Sequence, residues 1–173
     1  LFKREAPVVL EIGFGMGGSL IEMAKAQPDN DFIGIEVHAP GVGSCLDGLE
    51  KAALTNLRVI HHDAMYVLEQ HISNGSLDRV QIFFPDPWHK KKHNKRRLIQ
   101  PKLLDLLISK LKPSGVIHLA TDWEHYALQM MDVLSNDSRL VNQQGAQQYA
   151  DGKKLRAHTK FEARGERLGH GVW

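Results

Sequence analysis

The sequence predicts an α/β fold built on a doubly wound, mostly parallel sheet. Three observations carry this expectation. Five short apolar runs alternate with segments of helical periodicity, the order that successive βαβ units produce. The 173 residues suffice for one domain with a real core and no covalent staples. Each predicted strand ends at or beside an acid (Glu11, Glu36, Asp63, Asp86, Asp122), and open α/β sheets bind ligands outside the carboxyl ends of their strands.

The elements follow in order. Val8 to Ile12 reads as the first strand. Leu20, Ile21 and Ala24 fit the face of a helix that Pro28 closes. Phe32 to Val37 is a second strand, and Val42, Leu46, Leu49 and Ala53 form the next helical stripe. Leu57 to Ile60 is a third strand, followed by Met65, Leu68 and Ile72 at helical spacing. Val80 to Phe84 is a fourth strand, which enters a long polar loop from Pro85 to Arg97. The next helix is the clearest. Leu103, Leu104, Leu107, Ile108 and Leu111 share a face, Pro101 stands near the start, and Pro113-Ser114-Gly115 stops it. Val116 to Ala120 is a fifth strand. A last helix carries Tyr126, Ala127, Met130, Met131 and Leu134, with Thr121 and Glu124 spaced as a capping box. The polar stretch from Asn142 to Arg167 is weakly periodic, and Val172-Trp173 resembles the start of a further strand. No repeat or linker interrupts the chain, so residues 1–173 are expected to form a single domain.

Composition excludes several classes. Apolar content of 42% and charged content of 24% are ordinary for a globular protein. The single cysteine, Cys45, cannot form an internal disulfide, and its apolar helical surroundings favour packing over nucleophilic chemistry. No apolar run approaches the roughly 20 residues of a membrane span. No signal-peptide pattern opens the chain, although it does not begin with Met. Net charge is only +2, but it is unevenly spread. His89 to Arg97 holds six Lys/Arg and no acid, and Lys153 to Arg167 holds six more against Glu162 and Glu166. The remainder is net acidic. A basic face on an acidic body suggests a polyanionic partner, against the plainer reading of a solvated lysine-rich loop.

The turn after the first strand is Glu11-Ile12-Gly13-Phe14-Gly15-Met16-Gly17-Gly18. Its glycines let backbone approach a ligand closely and open a helix N-terminus. Gly13, Gly15 and Gly18 satisfy G-x-G-x-x-G, and Glu36 lies where a ribose-binding acid would be. The pattern fits a dinucleotide or an adenosyl cofactor. Two features favour the second. Glu11 is awkward beside a pyrophosphate but suits a positively charged amino acid end and a sulfonium. The chain is also too short for a separate hydride-acceptor domain. Glu-x-Gly-x-Gly looks like the first motif of class I methyltransferases, in which case Glu36 can accept both ribose hydroxyls and Asp63 the adenine amino group. Helix capping is the competing reading for Asp63 and Asp122.

The loop after the fourth strand reads Phe83-Phe84-Pro85-Asp86-Pro87-Trp88, then His89-Lys90-Lys91-Lys92-His93-Asn94-Lys95-Arg96-Arg97. Prolines on either side stiffen the backbone around Asp86. Trp88 offers a surface on which a base can stack, and the cations can neutralise phosphates. His89 and His93, four apart, lack a third ligand of suitable spacing, so no metal is expected. Of His61 and His62, one is expected to pack and the other to be exposed.

This set resembles the tRNA (guanine-N7)-methyltransferase family. The resemblance rests on Phe-Pro-Asp-Pro-Trp with His-Asn-Lys-Arg-Arg, on Ala120-Thr121-Asp122-Trp123, and on Thr159-Lys160-Phe161-Glu162 with Arg164-Gly165 and Leu168-Gly169-His170-Gly171. It covers essentially the whole chain, in order. It implies a class I, Rossmann-like methyltransferase fold and methyl transfer from S-adenosylmethionine to N7 of the variable-loop guanine of tRNA. It implies that Glu11, Gly13, Gly15, Glu36, Asp63 and Asp86 bind the cofactor, with Asp86 also catalytic. Lys90, Asp122, Thr159, Lys160, Phe161 and Glu162 would contact substrate, and Lys92, His93, Asn94, Lys95, Arg96 and Arg97 would touch RNA. A stand-alone, cytoplasmic enzyme with tRNA as partner, no membrane and no obligatory protein partner is expected. The family usually extends further at both ends. Two other readings compete: an NAD-dependent oxidoreductase, from the literal glycine match, and a non-catalytic RNA-binding protein on the same fold.

Overall fold

The computed structural model describes residues 1–151 and 171–173. Five strands form one sheet: β1 (Val8–Ile12), β2 (Asp31–Glu36), β3 (Leu57–His61), β4 (Leu77–Phe83) and β5 (Leu111–Ala120). Its order is β3-β2-β1-β4-β5. β1 pairs in parallel with β2 and β4, and β2 with β3. The chain winds outward from β1 to β3 and returns to β4 on the other side of β1. That reversal makes the doubly wound order, in which ligands bind at the carboxyl ends of the strands beside the switch point. Five helices connect the strands: α1 (Gly18–Ala26), α2 (Ala39–Lys51), α3 (Ala64–Gln70), α4 (Pro101–Lys110) and α5 (Glu124–Ser135).

The residues group into two compact units. The first comprises Leu1–Phe83 and Leu106–His118, the second Phe84–Asp105 and Leu119–Trp173. The first unit holds most of the sheet. Val9, Leu10, Ile12, Phe32, Ile35 and Val80 are buried in its strands, as expected of strands covered on both faces. Gly34 is needed on β2 because a side chain there would meet Leu20 and Phe14 at 2.6–2.7 Å. Asn56 fixes the layer at the opposite end of the sheet by donating to the carbonyls of Ala24, Gln27 and Asn30. In the second unit, Tyr126, Ala127 and Met130 form the buried face of α5.

Several expectations are corrected. Leu46 is exposed and Cys45 is buried instead. The inward face of α2 is set by close glycine approach, not by apolar bulk: a Cβ on Gly41 would lie 2.2 Å from the Gly15 carbonyl oxygen, and one on Gly17 would lie 2.5 Å from the Cys45 Cβ. β4 begins three residues earlier than predicted, at Leu77, and β5 five residues earlier, at Leu111. Backbone bonds from Gly75 to Ser109 and from Ser76 to Lys110, with Lys112 paired to Asp78, draw these starts together. Leu111 therefore leaves the helix. Thr121 and Glu124 form no capping box. Trp123 is the N-cap of α5, and the Thr121 hydroxyl accepts the Trp123 N–H instead. Thr121 and Trp173 exchange both backbone hydrogen bonds, at 2.9 and 3.0 Å, the exchange an antiparallel pair makes.

Candidate cofactor and substrate sites

In the first unit, the glycine turn at the end of β1 is anchored from one side by the β2–α2 segment. The Gly13 N–H donates to the Ile35 carbonyl at 2.8 Å. The Gly15 N–H donates to Glu36 Oε2 at 2.8 Å, and the Ser44 hydroxyl donates to the Met16 carbonyl at 3.0 Å. Gly13, Gly15 and Gly17 all have positive φ, from 58° to 81°, which only glycine adopts without cost. Open space lies where a Cβ on Gly13 or Gly15 would project. That bare backbone at a strand end is what an adenosyl cofactor of this class needs, so the residues present fit the group.

Glu36 is more heavily used than the sequence suggests. Oε1 accepts the Val37 and His38 N–H groups at 2.7 and 3.0 Å, and Oε2 accepts Gly15. A carboxylate has about four lone-pair positions, so three are engaged, and two ribose hydroxyls would have to displace one of these amides. Asp63 Oδ1 accepts the Tyr66 N–H at 3.0 Å, as the N-cap of α3. The capping reading is thus realised for Asp63, whose carboxyl group remains exposed. Nearby, both histidines are exposed. His61 Nε2 lies 3.0 Å from the Val37 carbonyl, and His62 packs on the Tyr66 ring.

Glu11 lies beneath the turn, not on it. It is only 2% exposed, and Oε2 accepts a 2.7 Å hydrogen bond from Gln81 of β4, its register partner. Burial pushes the Glu11 carboxyl up to about 7, with Gln81 opposing the shift. Burial, and then the charge of Glu11, push the Cys45 thiol up to about 11, which makes it unreactive. Gln81 was missed from sequence. The available signal was a polar amide in the middle of an apolar strand.

In the second unit, Asp86 is exposed at the tip of the Pro-Asp-Pro turn. Its Oδ1 accepts the Trp88 N–H at 3.1 Å, closing a short side-chain turn. Phe84 and Trp88, two residues to either side, both have positive φ, 52° and 45°. Such strain in bulky residues persists only where surrounding structure enforces it, and it gathers at functional sites. Trp88 carries the Arg96 guanidinium over its ring at 5.0 Å and the His93 edge at 5.8 Å. His89 packs instead on Trp123, with ring centroids 4.3 Å apart. Among the described residues no group of three potential metal ligands exists.

The basic segment forms a short 3-10 helix, Lys91–Arg96. Lys90, Lys91, Lys92, Lys95 and Arg96 are exposed, and His93 and Asn94 are half-buried. Arg97 differs: it is 2% exposed. Its Nε donates to the Pro87 carbonyl at 2.7 Å and its Nη1 to Gln129 Oε1 at 2.6 Å, with His125 Nδ1 at 3.0 Å. Asp122 is half-buried between Thr121 and Trp123. Thr159, Lys160, Phe161 and Glu162, the window Lys153–Arg167, and Leu168 to His170 lie outside the described residues.

The strand order, with the glycine turn and Glu36 at the carboxyl ends, is that of the Rossmann-like fold on which class I methyltransferases are built. The solved structures agree in fold. The precorrin-6y C5,15-methyltransferase from Geobacter metallireducens is similar at a TM-score of 0.60, with 20% identity over 78% of this chain and 65% of that chain. A SAM-dependent methyltransferase from Aquifex aeolicus follows at 0.52, with 19% identity over 68% and 57%. Residues 5–173 match the family described as "Putative methyltransferase". Relatives named tRNA (guanine-N(7)-)-methyltransferase align along this entire chain: 60% identical in Shewanella piezotolerans, covering 73% of that protein, and 59% identical in Idiomarina loihiensis, covering 71%. The chain belongs to the tRNA (guanine-N(7)-)-methyltransferase family.

Proposed function

We propose that this protein transfers a methyl group from S-adenosylmethionine to N7 of the variable-loop guanine of tRNA. The observation that carries the reading is the alignment of the whole chain with relatives of that name at 59–60% identity. Residues 1–173 are read as one methyltransferase domain, which the family match over residues 5–173 supports. The enzyme works in the cytoplasm on tRNA, without an obligatory protein partner. No helix among the described residues is long and apolar enough to cross a membrane.

S-adenosylmethionine supplies an electrophilic methyl group on a positively charged sulfur. Gly13 and Gly15 would leave backbone room for it, Glu36 and Asp63 would hold its ribose and adenine, and Glu11 would answer its positive charge. Guanine N7 already presents a lone pair in the major groove, so no general base is required. The residues that hold the substrate orient the base. Asp86 stabilises the positive charge that the base gains. Lys90, Asp122 and Thr159 to Glu162 hold the substrate, and the exposed cations of residues 90–96 meet phosphates.

Calorimetric titration tests the cofactor and the leading alternative together. The account expects S-adenosylmethionine and S-adenosylhomocysteine to bind and NAD not to. Binding of NAD with neither of the others would replace this reading with the oxidoreductase.

A further inference from the structure

Arg97 closes a basic run, yet the fold treats it unlike its neighbours. Lys95 and Arg96 are exposed while Arg97 is buried. Among the described residues its guanidinium pairs with no carboxylate; it meets the Pro87 carbonyl, the Gln129 amide oxygen, His125 Nδ1, and the Tyr126 ring with Cζ 4.8 Å from its centroid. An arginine only donates, so His125 Nδ1 is the acceptor in that contact. Burial lowers the Arg97 pKa, but an arginine remains charged in proteins. Burying a charge among neutral acceptors is costly unless its donors are satisfied. A phosphate contact would need no such burial.

The donors point to what the burial achieves. The Pro87 carbonyl belongs to the residue directly after Asp86, inside the stretch bracketed by the positive φ angles of Phe84 and Trp88. Arg97 ties this stretch to Gln129 on α5. The Phe84 N–H ties its other end to the Ala120 carbonyl at 2.8 Å. α5 is locked in turn: the Tyr126 hydroxyl accepts the Ile99 N–H, and Gln129 Nε2 donates to the Ile99 carbonyl. A strained turn is held by such a tie on each side, and the Asp86 carboxylate is joined to it through the Trp88 N–H.

We propose that Arg97 is the positioning residue for Asp86, acting through the Pro87 carbonyl, and not a phosphate contact. The proposal rests on the reading of Asp86 as the catalytic carboxylate. Arg97→Lys is the informative variant, because it keeps the charge and loses the fork. kcat, KM for tRNA, the salt dependence of KM and the thermal midpoint are measured in the full chain for R97K, R97M, Q129L, D86N and the D86N/R97M double variant. The expected result is a loss of at least about tenfold in kcat for R97K and R97M, with KM and its salt dependence unchanged. R97M then adds less than about twofold in the D86N background, because it acts only through the carboxylate that D86N has already replaced. Q129L, which removes the acceptor of Arg97 Nη1 together with the donor to the Ile99 carbonyl and leaves the guanidinium in place, loses several-fold in kcat and carries the test if R97M does not fold. A near-normal R97K, with R97M raising KM and lowering the salt slope by about one, identifies a phosphate contact and overturns the proposal. A lower thermal midpoint with normal kcat in R97K and Q129L overturns it as well. Normal turnover by D86N defeats the reading of Asp86 itself, whereas a crippled D86N beside a normal R97K defeats the Arg97 proposal alone.

Discussion

Asp86 stands in a turn where two bulky residues accept left-handed backbone and its own carboxylate holds the Trp88 N–H. An asparagine can still accept that N–H, so Asp86→Asn is expected to keep the fold while losing about a hundredfold or more in turnover. A thermal melt beside a methyl-transfer assay checks both halves. Glu11 makes a different prediction. Its carboxyl is raised from 4.5 to about 7 in the native protein, so between those values the unfolded chain ionises first and native stability falls as pH rises. Its favourable contribution is complete below about pH 4.5 and gone above about pH 7. The corresponding free energy is about 3 kcal/mol. In Glu11→Gln, whose amide oxygen can still accept from Gln81, cofactor-free stability should lose this dependence and exceed that of the wild type at pH 8. Denaturant unfolding at pH 5 and pH 8 checks it, and parallel pH profiles for the two proteins would contradict it.

The elements show how far the sequence could be read. Among the described residues apolar periodicity located the five strands and the five α-helices, most plainly β1, β2 and β4, whose buried faces leave continuous apolar runs. It failed where something other than apolar bulk sets a boundary or a face. Gly41 and Cys45 face inward because the glycine turn comes within contact distance, and no periodicity of Leu reports that. The starts of β4 and β5 each set a leucine beside charged residues and are held by backbone bonds and the Lys112–Asp78 pair. The acids at strand ends were legible, but their partners were not. Nothing in a linear sequence shows that Glu36 holds three amides, that Gln81 meets Glu11, or that Arg97 turns inward while Arg96 turns out. Asp63 has both a structural and a proposed cofactor role, and two substitutions separate them. Asp63→Asn preserves the N-cap and should leave stability within about 0.5 kcal/mol while weakening S-adenosylmethionine binding; Asp63→Ala should lose about 1 kcal/mol as well. Equal stability in the two variants would show that the cap contributes nothing.

For the whole molecule, a net charge of +2 conceals a strongly basic segment on a more acidic chain. Association with tRNA should therefore weaken steeply with salt. Lys95 is exposed, so Lys95→Ala should reduce the slope of log K against log salt by about one while leaving kcat unchanged. A binding series at four salt concentrations measures it, and an unaltered slope would remove Lys95 from the phosphate interface. The central claim concerns the reaction itself. The most direct measurement is transfer of a labelled methyl group from S-adenosylmethionine to unmodified tRNA, followed by digestion and identification of the modified nucleotide and its position. The account predicts 7-methylguanosine in the variable loop and nowhere else. Label in another base or another loop, or none at all from protein that binds both S-adenosylmethionine and tRNA, would contradict it.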